Sequence, residues 1–126
     1  MLTMSIPVEV DQIAAEMDRY GASAFVVTVR DDGTPHIAHV TFEAADGVLT
    51  CPASRTAALN VAERPSMSVL WPPFEDSGYS MIVDGEASVD GEVMSIAPTN
   101  GVLHRPAARA EGTNGDCSSD CAPVRG

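Results

Sequence analysis

Cys51 to Asn60, CPASRTAALN, is the stretch on which the reading of the chain turns. Val48 to Cys51 is a short β-branched and apolar run, and Pro52 ends it. Ser54 is a side-chain cap for a helix over roughly Arg55 to Glu63, and Pro65 falls just past its end, where proline belongs. One short helix is therefore set between two strands. Its first turn carries Ser54, Arg55 and Thr56. Unpaired N–H groups at a helix start, two hydroxyls and a guanidinium fork are the chemistry that seats a phosphate. A serine cap beside a surface arginine is the plainer reading of the same residues. Asn60 lies too far round the helix to pair with Arg55, and is left as a brace of the helix against the preceding loop or as polar surface.

On either side, strand signals dominate. Ala24 to Arg30, AFVVTVR, and Pro35 to Glu43 flank the turn residues Asp31-Asp32-Gly33-Thr34 and predict a hairpin. Asp46-Gly47 is a two-residue turn signal leading into Val48 to Cys51. After the helix, Ser66 to Trp71 alternates as a strand. Pro72 and Pro73 open a polar loop to Gly78, and Tyr79 to Val89 turns at Asp90-Gly91 into Glu92 to Ala97. Val8 to Tyr20 is predicted as an amphipathic helix on Val10, Ile13, Ala14 and Met17, ended by Gly21. These elements predict an all-β fold with short helices, a six-stranded antiparallel barrel whose closure removes exposed edges.

The chain has 126 residues, 44% of them hydrophobic, which suits one domain. We place that domain at residues 1–111, and a polar tail, predicted to be disordered, at 112–126. Its formal net charge is −11, and all seven basic residues are arginines. That balance disfavours nucleic acid and anionic membrane as partners. No apolar run is long enough to span a bilayer and no basic-then-apolar leader opens the sequence, so the expected location is cytoplasmic.

His36 and His39 have opposite strand parity and point to opposite faces, which argues against a shared metal. His104 is remote from both, and no metal site is expected. Cys51 reads as small-residue packing; Cys117 and Cys121 in the tail have a spacing compatible with half a metal site or a local disulfide. Trp71 and Tyr79 flank the proline-rich loop and line either an aromatic cleft or the plug at a barrel end. No side chain shows the pattern of a nucleophile with its base, so no catalytic residue is assigned.

In order, FVVTVRDDGTPHIAHVTF, GVLTCPASRTAALNVAERPSMSVLW and GYSMIVDGEASV resemble the pyridoxamine 5′-phosphate oxidase-like, FMN-binding split-barrel family, over about Ala22 to Ala97. The resemblance implies a six-stranded antiparallel split β-barrel forming a homodimer, with FMN in each of two clefts between subunits. It places His39, Val40 and Thr41 near the isoalloxazine, and Leu49 and Thr50 near the ribityl chain. Ser54, Arg55, Thr56 and Asn60 fall in the phosphate segment, and Trp71 near the ring or the dimer seam. It implies an oxidoreductase acting on a small molecule, with His39 as a conceivable proton donor. The same family holds F420-dependent reductases, haem-binding relatives and members without demonstrated catalysis, and these are the alternatives. His104, Arg105 and Arg109 do not reproduce the substrate motif of the true oxidases, so pyridoxamine phosphate oxidation is not assigned.

Overall fold

The computed structural model describes residues 3–75 and 77–106. Its strands are β1 (Thr3–Val8), β2 (Ser23–Val29), β3 (Pro35–Thr41), β4 (Glu43–Ala45), β5 (Val48–Pro52), β6 (Ser66–Trp71), β7 (Ser80–Asp90) and β8 (Val93–Pro106). Two α-helices, α1 (Ile13–Tyr20) and α2 (Arg55–Glu63), complete the described residues, with a single 3-10 turn at Val10–Gln12 before α1. The tail at 112–126, with Cys117 and Cys121, and also Arg109, lie outside the described residues.

All eight strands belong to one antiparallel sheet in the order β3-β2-β6-β7-β8-β5-β4, with β1 paired to β8. The expected six-stranded closed barrel is therefore corrected: the sheet has eight strands and is open. Its terminal strands β3 and β4 share no ladder. They are instead joined through the chain by one residue, Phe42, which is 2% exposed and donates its N–H to the Ala22 carbonyl at 2.8 Å. A bend at a buried aromatic thus carries the chain from one end of the sheet to the other, and splits the single strand expected over Pro35 to Glu43.

The remaining extra strand arises at the two ends of the described chain. β8 continues nine residues past Ala97, to Pro106, and its second half pairs with β1, from Thr3 opposite Pro106 to Val8 opposite Gly101. Pro98, Asn100 and Gly101 read as strand breakers, yet they sit where the β7–β8 ladder shifts register, between Asp84 opposite Asn100 and Gly85 opposite Pro98. Thr99 is the extra residue of this bulge, and a bulge is where a ladder tolerates a proline. Gly85 is required there. A Cβ at that position would lie 2.8 Å from both the Ala97 carbonyl oxygen and Ile96 Cγ2.

The predicted N-terminal helix is likewise shorter than expected. The segment to Val8 is strand, and α1 buries only Ile13 and Met17, one turn apart, before Gly21 closes it at φ 92° with its N–H on the Met17 carbonyl. The Asp46-Gly47 turn has positive φ at both residues, 55° and 78°, as the mirror-image hairpin turn demands.

Alternate residues of the strands point into one core. Ala24 and Val26 of β2, Met67, Val69 and Trp71 of β6, Met81 and Val83 of β7, and Met94 and Ile96 of β8 are all buried there. Cys51 joins them at 4% exposure, and burial pushes its thiol up to about 11. A thiol raised above its ordinary value of 9.0 holds its proton in the folded state. The stability that this provides is complete below pH 9 and is lost as pH rises toward 11, roughly 2 to 3 kcal/mol over that window. Urea unfolding at pH 8 and pH 10.5 measures the loss, and Cys51→Ala should flatten this part of the pH dependence.

Candidate functional site

The start of α2 follows directly from its sequence. Ser54 sits in extended conformation (φ −73°, ψ 162°), and its Oγ accepts from the Ala57 N–H at 3.1 Å. The Ala58 N–H bonds the Ser54 carbonyl at 2.9 Å. That leaves the N–H groups of Arg55 and Thr56 without partners among the described residues. The Ser54 hydroxyl keeps its own hydrogen to donate, and the half-buried Thr56 stands beside it.

The arginines separate clearly by what they touch. Arg19 pairs with Glu16, and Arg30 donates to Thr34 Oγ1 and the Pro35 carbonyl. Arg64 bonds the Val29 carbonyl and Asp31, and Arg105 bonds the Ser77 carbonyl over the Tyr79 ring. Arg55 is exposed and has no hydrogen bond or ion pair among the described residues. The residues present fit a phosphate: one free guanidinium, two free backbone N–H groups and two hydroxyls at the positive end of a helix.

Asn60 lies elsewhere. It is 5% exposed on the buried side of α2, and its Nδ2 donates to Thr28 Oγ1 at 3.0 Å, with Thr28 fully buried in β2. Asn60 therefore braces the helix, but against strand β2 and not against the preceding loop that the sequence suggested. Its partner Thr28 escaped sequence reasoning, although the alternation Ala24, Val26, Thr28 already put a hydroxyl on the inward face of β2, where it requires a partner.

Strand β3 alternates as its parity predicts. His36, Ala38 and Val40 turn inward, and His39 and Thr41 are exposed on the outer face. Val40 packs on the core. Thr41 Oγ1 lies 3.3 Å from Ser23 Oγ, and His39 stacks on Phe25 with ring centroids 4.5 Å apart. His36 Nδ1 is buried without a hydrogen-bond partner among the described residues. In β5, Leu49 is buried and Thr50 half-buried, so a ligand passing this strand would meet backbone and the Thr50 side more than Leu49. Trp71 is fully buried, its Nε1 donates to the Gly21 carbonyl at 2.9 Å, and its ring meets Phe42 at 5.7 Å between centroids. It is part of the core beneath the Phe42 bend.

Two surfaces border these residues. A shallow groove of about 590 Å³ runs along the flank of α2, between Thr56, Leu59 and Asn60 on one side and Arg30, Asp31 and Asp32 on the other. Its carboxylates, Glu63 included, make it a poor seat for an anion, although it reaches Thr56 in the first turn of α2. The second is the outer sheet face. Cross-strand register aligns His39, Phe25, Leu70, Ile82, Val102 and Pro7 in one row, none of them fully buried.

Among the described residues no group of three or more His, Cys, Asp or Glu side chains is placed to hold a metal ion. None of their helices is long and apolar enough to cross a membrane.

Comparison with solved structures relates this arrangement to known proteins. An FAD-binding protein from Mesorhizobium loti superposes with a TM-score of 0.63 at 11% identity, over 83% of this chain and 99% of its own. A candidate pyridoxamine 5′-phosphate oxidase from Listeria innocua gives 0.62 at 19% identity, over 75% and 96%. The FAD-binding protein of Mycobacterium smegmatis gives 0.58 at 15%, over 81% and 99%. The fold is that of these proteins. At such identities the likeness concerns the backbone and leaves the chemistry to the residues. No family model matches the sequence. Uncharacterized proteins of Mycobacterium bovis and Mycobacterium tuberculosis match at 39% identity over 70 residues, 49% of this chain and 49% of each relative. The match thus spans about half the length of these curated relatives.

Proposed function

We propose that the chain is an FMN-binding oxidoreductase acting on a small molecule as a homodimer. The observation that carries the reading is Arg55, without a partner among the described residues at the capped start of α2, on a fold shared with proteins described as FAD-binding. Ser54, Arg55 and Thr56 hold the phosphate, and β5 at Leu49 and Thr50 runs beside the ribityl chain. His39, Val40 and Thr41 of β3 approach the ring, His39 with its imidazole held flat by Phe25. A bound flavin supplies the electron transfer; the chain's own work is to seat the phosphate, orient the ring and keep water from one side of it.

A second copy supplies the other wall. The row from His39 to Pro7 holds no carboxylate or arginine, so two copies with a formal charge of −11 each can meet along it without opposing charges at the seam. The test is native mass spectrometry of the protein after incubation with FMN, with a visible spectrum of the same sample. A dimer carrying two FMN with absorbance near the flavin bands is expected. A monomer without flavin, tighter binding of F420, or a haem Soret band would each overturn the assignment.

A further inference from the structure

We infer that Asn60 and Thr28 are positioning residues for the anion: their buried hydrogen bond sets the roll of α2 and thereby aims Arg55. This rests on the reading of Arg55 as the phosphate ligand, and assigns Asn60 a task other than touching the phosphate.

The geometry of the helix carries the argument. α2 buries only Ala57, Asn60 and Val61. Ala57 and Val61 are small and their apolar contact is non-directional, so they set rotation about the helix axis only loosely, and the bonds from Arg64 to the Val29 carbonyl and Asp31 hold the far, C-terminal end of the helix. The bond from Asn60 Nδ2 to Thr28 Oγ1 is directional, 3.0 Å long, and shielded from water on both partners, at 5% and 0% exposure. At 3.6 residues per turn, Arg55 stands roughly 140° round the helix from Asn60. A roll of about 20° would carry a guanidinium about 6 Å off the axis through roughly 2 Å, enough to break a hydrogen bond to a fixed phosphate oxygen. The free N–H groups of Arg55 and Thr56 would turn with it. Ala57 links the two ends directly, because its side chain is buried in the interface while its N–H is held by the Ser54 cap.

The inward position of Thr28 is equally specific. Valine would fill it with nearly the same shape and suit a strand better. The hydroxyl therefore contributes its oxygen to Asn60 rather than bulk to the core.

The test compares FMN affinity, by flavin fluorescence titration, for the wild type, Thr28→Ser, Thr28→Val, the double variant T28V/N60L and Arg55→Ala, with the phosphorus resonance of bound FMN and urea unfolding recorded for each. Thr28→Ser keeps the oxygen and should bind within about twofold of wild type. T28V/N60L leaves no polar group unpaired, so its unfolding midpoint should stay close to wild type. Its FMN affinity should fall at least tenfold, equivalent to about 1.4 kcal/mol, and its bound phosphorus resonance should shift toward that of free FMN. Wild-type affinity in the double variant would overturn the inference. Should the double variant fail to fold, Thr28→Val alone decides in the same way: a tenfold loss supports the inference, and unchanged affinity overturns it. Loss of affinity in Arg55→Ala with none in the Thr28 and Asn60 variants removes this inference alone. Full affinity in Arg55→Ala removes the phosphate reading and this inference together.

Discussion

Replacing Arg55 with alanine should weaken FMN binding by about ten- to a hundredfold and leave the stability of the protein unchanged. The direction follows from what Arg55 touches. The side chain is exposed and has no protein partner among the described residues, so the folded state has no contact to lose. Against a phosphate, a charge-assisted hydrogen bond contributes roughly 1.5 to 3 kcal/mol, which sets the expected range. Arg55→Lys keeps the charge but not the planar fork, so it should fall between the two. Fluorescence titration measures the affinities, and urea unfolding the stability. Equal affinity in Arg55→Ala and wild type would mean that the phosphate sits elsewhere.

Trp71→Ala should be the most destabilising single truncation in the fold, at about 3 to 5 kcal/mol. That is a large share of the roughly 5 to 15 kcal/mol that holds a domain together. Trp71 has no exposed surface, its ring packs on Phe42 at the bend joining β3 to β4, and its indole N–H satisfies the Gly21 carbonyl just after α1. Truncation opens a cavity, strips a carbonyl of its donor and loosens the residue that bridges the two ends of the open sheet. Since Trp71 is the sole tryptophan, far-ultraviolet circular dichroism must follow the unfolding. A loss below about 1 kcal/mol would contradict this place in the core.

The sequence was easiest to read where local rules and tertiary structure agree. α2 begins at Arg55 after a Ser54 cap and ends before Pro65, and β6 runs from Ser66 to Trp71, all as local signals predict. Cap chemistry and proline are local, so they show without a partner strand. β1 and the end of β8 did not show, because each exists only through the other. Thr3 to Val8 has no strand signal strong enough alone, and Pro98, Asn100 and Gly101 count as breakers until the Gly85 bulge gives them a place. The barrel was misjudged for a related reason. Counting strands fixes neither how many ladders form nor whether the last one closes, and here Phe42 joins the sheet ends by the chain itself.

The site divides in the same way. The first turn of α2 was visible as chemistry, since Ser-Arg-Thr at a helix start needs no tertiary knowledge. The partner of Asn60 was not, because Thr28 is 32 residues away and only the sheet brings the two together. The isolation of Arg55 also needed the structure, which gave Arg19, Arg30, Arg64 and Arg105 their partners and left this one without any among the described residues.

The most direct test is a crystal structure of the protein grown with excess FMN. The phosphate should lie within about 3 Å of the Arg55 guanidinium and of the Arg55 and Thr56 backbone N–H groups. A helix start holding only water or a protein side chain, with the flavin absent or its phosphate bound elsewhere, would contradict the account.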